Sequence, residues 1–275
     1  MASRKRWVDL CVVVPFNDLA AAERAVVENE GRVAGMIIEP MMMNASMIPP
    51  KPGYLEGLRA LTQRHDALLT FDEVKTGLTI APGGAVERFG VRPDIVCLAK
   101  ALGGGLPCGA IGGTDDVMSA IVSGVYHQVG TFNANPLTMA AARATVTEVL
   151  TPDAYTYVEQ LGTAMLEQSL EIVHGAGLVA YGRSKGAKGC LVFNDAPIAN
   201  YREFLHIDPA LSHVHWLYQH NGGVFLPPWG KSEQWTLSVQ HTAADAPRDI
   251  DNVATFATAA ARAIDLREDR YTGTY

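Results

Sequence analysis

Lys100 closes a short apolar run at 95–99 and is followed by three consecutive glycines, in the segment CLAKALGGGLP at 97–107. A lysine at such a point has ordinary readings: a solvated charge, a phosphate contact or a structural ion pair. The glycines permit a sharp turn or a close backbone approach, but no GK[ST] follows them, and the GxGxxG pattern is missing at 103–109. Nucleotide-binding loops of both kinds are therefore not supported. A lone amine at a strand end suits Schiff-base chemistry, because a desolvated lysine loses affinity for its proton, condenses with an aldehyde and can afterwards shuttle a proton.

If the aldehyde belongs to pyridoxal phosphate, an acid must keep the pyridine nitrogen protonated so that the ring can withdraw electrons. Asp72, in LLTFDEVKTG at 68–77, has the right type and stands at the end of an apolar run. Val74, two residues on, faces the same side if the chain stays extended, and can press its branched side chain on a ring. A phosphate needs hydroxyls, amides or a helix N-terminus. GTFNANP at 130–136 offers Thr131 just ahead of an alanine-rich helical run, and Asn133 or Asn135 can equally cap that helix.

These residues need a scaffold that brings strand ends together. The first half alternates short apolar runs with helical patterns, the rhythm of a parallel sheet with crossover helices. Strands are expected at 33–40, 67–71, 94–99 and 109–113. Between the first two, Leu55, Leu58 and Leu61 line one face of a helix at 54–65. In such sheets ligands collect beyond the carboxyl ends of the strands, where Glu39, Asp72, Glu73 and Lys100 are expected. Met41, Met42 and Met43 read as packing residues beside the first strand end. Helices follow at 115–122, 136–150 and 152–174, with Gly175 and Gly177 marking a boundary between a large unit, 1–175, and a small α+β unit, 176–275. The small unit is expected to hold strands at 188–194, 222–228 and 234–239, and helices at 210–221 and about 249–265.

Bulk properties narrow the possibilities. The chain has 275 residues, 48% hydrophobic and 19% charged, enough for a substantial core. A net charge of −7 leaves no broad basic surface for nucleic acid. Four scattered cysteines without a CxxC pair fit reduced thiols in the cytoplasm. The opening MASRKRWVDLCVVVPF is broken by Asp9 and Pro15 and lacks a small-residue cleavage site, so neither a signal peptide nor a membrane span is expected. The histidines lack zinc-pair spacing at 213, 215 and 220, so no metal site is expected.

The ordered blocks EP at 39–40, PPKPGYLEGLR at 49–59, LLTFDEVKTG at 68–77, PDIVCLAKALGGGLPCGAIGG at 93–113 and GTFNANPLTMAAA at 130–142 resemble class III pyridoxal-phosphate aminotransferases. The branch they are most similar to is that of glutamate-1-semialdehyde aminomutase, and QWTLSVQHTAADAPRDID at 234–251 resembles the C-terminal part of that branch. The resemblance implies a fold-type I α/β enzyme with pyridoxal 5′-phosphate as cofactor. It makes Lys100 the Schiff-base residue and acid/base of the proton shift, Asp72 the partner of the pyridine nitrogen, Val74 a ring contact and Thr131 a phosphate contact. Glu39 is implied near the site. It further implies a homodimer with shared sites, acting on a small amine or amino acid and an oxo acid or aldehyde. The implied activity is transamination, with an aminomutase or a non-catalytic subunit as alternatives. The family's glycine-rich phosphate grip and ring-stacking aromatic have no match at 1–11, so the chain reads as N-terminally truncated. Arg183, Arg202 and Arg248 are candidate carboxylate clamps.

Overall fold

The computed structural model describes residues 8–227, 231–232 and 234–272, with side chains described as far as Asp265. The first sheet runs in the order β1 (Gly35–Ile38), β2 (Leu68–Asp72), β3 (Ile95–Leu98), β4 (Ala110–Gly113). The pairs β1/β2 and β2/β3 are parallel, with Ile38 opposite Phe71 and Asp72 opposite Cys97. Helix α1 (Leu19–Glu28) precedes β1, α2 (Tyr54–Arg64) lies between β1 and β2, and α3 (Gly84–Phe89) lies between β2 and β3.

The fourth strand departs from the parallel pattern. Only eleven residues join Leu98 to Ala110, and they carry one 3-10 turn, Lys100–Gly103, in place of a crossover helix. So short a link folds the chain back, and β4 pairs antiparallel with β3.

The core of this half lies on one face of the sheet. Leu55, Leu58 and Leu61 are all buried against Leu69 and Phe71, together with Met41, Met43, Met47 and Ile48. Along β2 the alternate residues point the other way, and on that face Ile37, Leu68 and Ile111 stay 69%, 39% and 53% exposed. Within this chain the sheet is thus covered on one side, whereas parallel sheets are ordinarily covered on both.

Helices α4 (Asp115–Val122) and α5 (Pro136–Ala144) follow. The helix expected at 136–150 stops at Ala144 and passes into a π turn, Thr145–Val149, where Thr145 Oγ1 donates to the Ala141 carbonyl at 2.9 Å. Helix α6 (Pro152–Gly175) packs across a second, antiparallel sheet, β5 (Tyr181–Lys185), β6 (Lys188–Val192), β7 (Gln234–Thr236), with α7 (Tyr201–His206), α8 (Ala210–Asn221) and α9 (Ala246–Thr272). Val173, Leu178, Leu191, Phe193, Val253 and Phe256 form its interior.

Two expectations need correction here. Residues 222–227 form no strand: the Val224 amide closes the end of α8 on the Gln219 carbonyl at 2.8 Å, and Phe225 is 79% exposed. Pro228, at the end of that expected strand, lies outside the described residues, as do the basic opening residues at 1–7 and Glu233 in the C-terminal motif. Strand β5 was not expected, because YGRSK has no apolar alternation to announce it. No helix among the described residues is long and apolar enough to cross a membrane.

Candidate active site

Because β1, β2 and β3 are parallel, their carboxyl ends share one edge, and Glu39, Asp72 and Lys100 are delivered to it. Glu39 and Asp72 fall side by side, one register step past the Ile38–Phe71 pair. The Asp72 carboxylate is half-buried and its Oδ1 accepts from the Val74 amide at 3.0 Å, which fixes its orientation and keeps Val74 beside it. Glu39 Oε2 accepts from the Met43 amide at 3.1 Å. Burial, reinforced by the Asp72 charge, pushes the Glu39 carboxyl above the usual range against the pull of that amide and of Lys75.

Lys100 is exposed and opens the 3-10 turn with φ +49°. A non-glycine residue in this left-handed region costs on the order of 1 kcal/mol or more, a strain found at functional positions. Gly104, with φ +56°, is where the glycine triplet becomes necessary: a Cβ there would run into Thr145 Oγ1 of the π turn. The close approach is to the protein's own helix end, and it seats the Lys100 turn against that end.

Two expected participants stand elsewhere. Glu73 turns inward and is 2% exposed. Its carboxylate accepts from Thr76 Oγ1 and from the Ala85 and Val86 amides at 3.0, 2.6 and 3.2 Å, holding the start of α3. Thr131 lies on an exposed turn before α5 and is not among the residues around the Lys100 cavity. Asn135 caps α5, accepting from the Leu137 and Thr138 amides at 3.1 and 3.3 Å. Those two amides are thereby occupied, and the Thr131 hydroxyl is among the donors that remain in this segment.

A cavity of about 330 Å³ opens beside Lys100, walled by Val74, Leu78, the π turn, α6 and the β5–β6 hairpin. Two lysines that sequence reasoning passed over also line it, Lys75 and Lys188. Lys75 follows Asp72 by three residues and could have been noticed as another strand-end cation. Lys188 lies in the second sheet, and its approach to Lys100 depends on how the two sheets pack. The candidate clamps are elsewhere. Arg183 donates to the Ser46 and Ile198 carbonyls, both at 2.7 Å, and stacks on Tyr181. Arg202 and Arg248 line other cavities.

An amine and a carboxylate at one edge of a parallel sheet, with a branched side chain between solvent and sheet, suit covalent capture of an aldehyde-bearing aromatic ring. Residues 12–230 match the family model for aminotransferase class-III. The chain belongs to the class III aminotransferases. In this class III chain the match runs from ahead of β1 to beyond β6. It is 36% identical over 241 residues to "Glutamate-1-semialdehyde 2,1-aminomutase 2" of Brevibacillus brevis, spanning 87% of this chain and 56% of that protein. Among solved structures, an omega-transaminase from Sphaerobacter thermophilus superposes with a TM-score of 0.84 at 29% identity, over 91% of this chain and 57% of the other. A glutamate-1-semialdehyde-aminomutase from Pseudomonas aeruginosa PAO1, solved in complex with PMP, gives 0.79 at 29% identity, over 89% and 56%. The class III chain therefore spans a little over half the length of the proteins it matches. Its architecture is that of these transaminases: an α/β layer with a mostly parallel sheet beside a smaller antiparallel one.

Proposed function

We propose that the protein transfers an amino group from an amine or amino acid donor to an oxo acceptor, with pyridoxal 5′-phosphate as cofactor. The observation that carries this reading is the convergence of Lys100 and Asp72 on one strand edge, with Val74 held beside Asp72 by the 3.0 Å hydrogen bond. The donor set fits the group. Lys100 would hold it covalently through its amine, Asp72 would pair with the pyridine nitrogen, Val74 would pack on the ring and Thr131 would donate to the phosphate. When bound, the cofactor supplies an aldehyde carbon and a ring that withdraws electrons from the substrate carbon.

The chain's own residues supply the rest. The Asp72 carboxylate would make a positive charge opposite it favourable. Lys100 would be the proton carrier, its Nζ moving one proton between the reacting carbon and the neighbouring position.

Glu39 stays beside Asp72 at this edge, its carboxyl held above the usual range chiefly by burial. The reading includes a homodimer, supported by the exposed Val129, Phe132 and Leu137 around Thr131, which are 83%, 84% and 69% exposed. The names of the relatives favour an aminomutase as the second reading, in which the nitrogen returns to the same substrate. Purified protein incubated with the cofactor, donor and acceptor decides between them. Transamination requires a separate oxo acceptor, and an aminomutase converts one substrate without it.

A further inference from the structure

Lys188 is 7% exposed, and its Nζ donates to Thr236 Oγ1 at 2.8 Å. An ammonium has three protons to place, so one hydroxyl leaves it under-used. Among the described residues no carboxylate lies within ion-pair distance of it. Burial, together with repulsion from Lys75 and Lys100, pushes Lys188 down to about 8. Lys75 has its own neutral partners, Asn44 Oδ1 at 2.9 Å and Gln234 Oε1 at 3.0 Å. Three lysines thus line one cavity whose other walls are mostly apolar, including Leu78, Val158 and Leu237. A buried cation lacking a counter-charge is costly, and the cost is recovered when a ligand brings an anion.

We propose that Lys188 binds the carboxylate of the substrate, and that the protein accordingly works on amino acids and oxo acids in preference to simple amines. The inference rests on the transamination reading, since it takes the Lys100 cavity as the place where the substrate lies. The apolar walls receive the hydrocarbon between the amine and the carboxylate, and a volume of about 330 Å³ suits a small molecule. The anion also raises the affinity of Lys188 for its proton, so binding weakens as pH rises above about 8. The titratable groups facing Lys188 are Lys75, Lys100 and, from α6, Tyr155. Burial holds the Tyr155 phenol above its ordinary value, leaving it neutral over this range.

The test uses protein loaded with pyridoxal phosphate, the wild type beside Lys188→Met and Lys188→Arg, titrated calorimetrically with glutarate and with inorganic phosphate. Lys188→Met is expected to weaken glutarate at least about tenfold, one lost charge-assisted hydrogen bond. Lys188→Arg is expected to recover most of that loss and to flatten the fall in affinity between pH 7 and 9. Affinity for the cofactor should stay within about twofold of wild type. Unchanged glutarate affinity in Lys188→Met overturns the proposal. So does an equal loss of cofactor or phosphate affinity, which assigns the lysine to a phosphate. Borohydride trapping at Lys100 is scored separately: its failure alongside Lys188-dependent glutarate binding removes the transamination reading and leaves the anion site standing.

Discussion

Lys100 and Asp72 hold different parts of the proposed chemistry, and their variants should separate. Lys100→Ala removes both the covalent attachment point and the proton carrier, so turnover should fall by about four decades or more. Asp72→Asn keeps the shape and the hydrogen bond from the Val74 amide but loses the charge, so attachment at Lys100 should persist while turnover drops roughly 100-fold or more. Single-turnover spectroscopy beside steady-state rates reads both effects; a variant Asp72→Asn with wild-type turnover would remove the carboxylate from the account. These two residues were legible because parallel strands end at a common edge, so residue type plus strand end already suggests a site. Lys75 and Lys188 were not, since their significance comes from a hairpin of the second sheet meeting the Lys100 turn. Glu73, the neighbour of Asp72, shows the opposite failure: the alternation of a strand end sends it inward, to hold α3.

At the scale of elements, α8 and α9 contain opposed titrations. His215 of α8 is 4% exposed among Phe193 and Phe256, and Gln219 donates to its Nε2 at 3.3 Å. Burial pushes it down to about 4. Asp249 of α9 is 6% exposed, and burial pushes its carboxyl up to about 6, against the hydrogen bond from Gln219. Below pH 6.5 the unfolded chain protonates the histidine and the folded one does not, so His215 removes stability, on the order of 3 kcal/mol by pH 4. Asp249 has the opposite sign: its folded form takes up a proton first, so its contribution is present below pH 4 and is lost as pH rises through about 6. Urea unfolding of His215→Phe between pH 7 and 4.5 should therefore show a gain in stability on acidification that the wild type largely lacks. An equal response in both proteins contradicts this. The helices themselves were readable from periodicity, 210–221 and 115–122 to the residue. The antiparallel return of β4 was less so, because it follows from the lack of a crossover helix, and β5 acquires its strand form from pairing with β6.

At the scale of the whole molecule, the most informative surface is apolar. Ile37 and Ile111 lie on the open face of the first sheet, and Val122, Val125, Val129, Phe132 and Leu137 protrude around α4 and α5, each more than half exposed. An apolar surface of this extent is ordinarily covered by protein. Light scattering after gel filtration should give at least twice the mass of one chain, and Phe132→Asp should lower it toward one. A wild-type mass of one chain at micromolar concentration argues against the homodimer. The sheet had to be built before these apolar residues could be assigned to one face.

The central claim is that Lys100 is the amine that holds the cofactor. The direct measurement is to add pyridoxal phosphate to the purified protein, reduce with borohydride and map the modified peptide by mass spectrometry. The account predicts one stoichiometric adduct on the peptide containing Lys100, lost in Lys100→Ala. No adduct, or an adduct on Lys75 or Lys188 in place of Lys100, would contradict it.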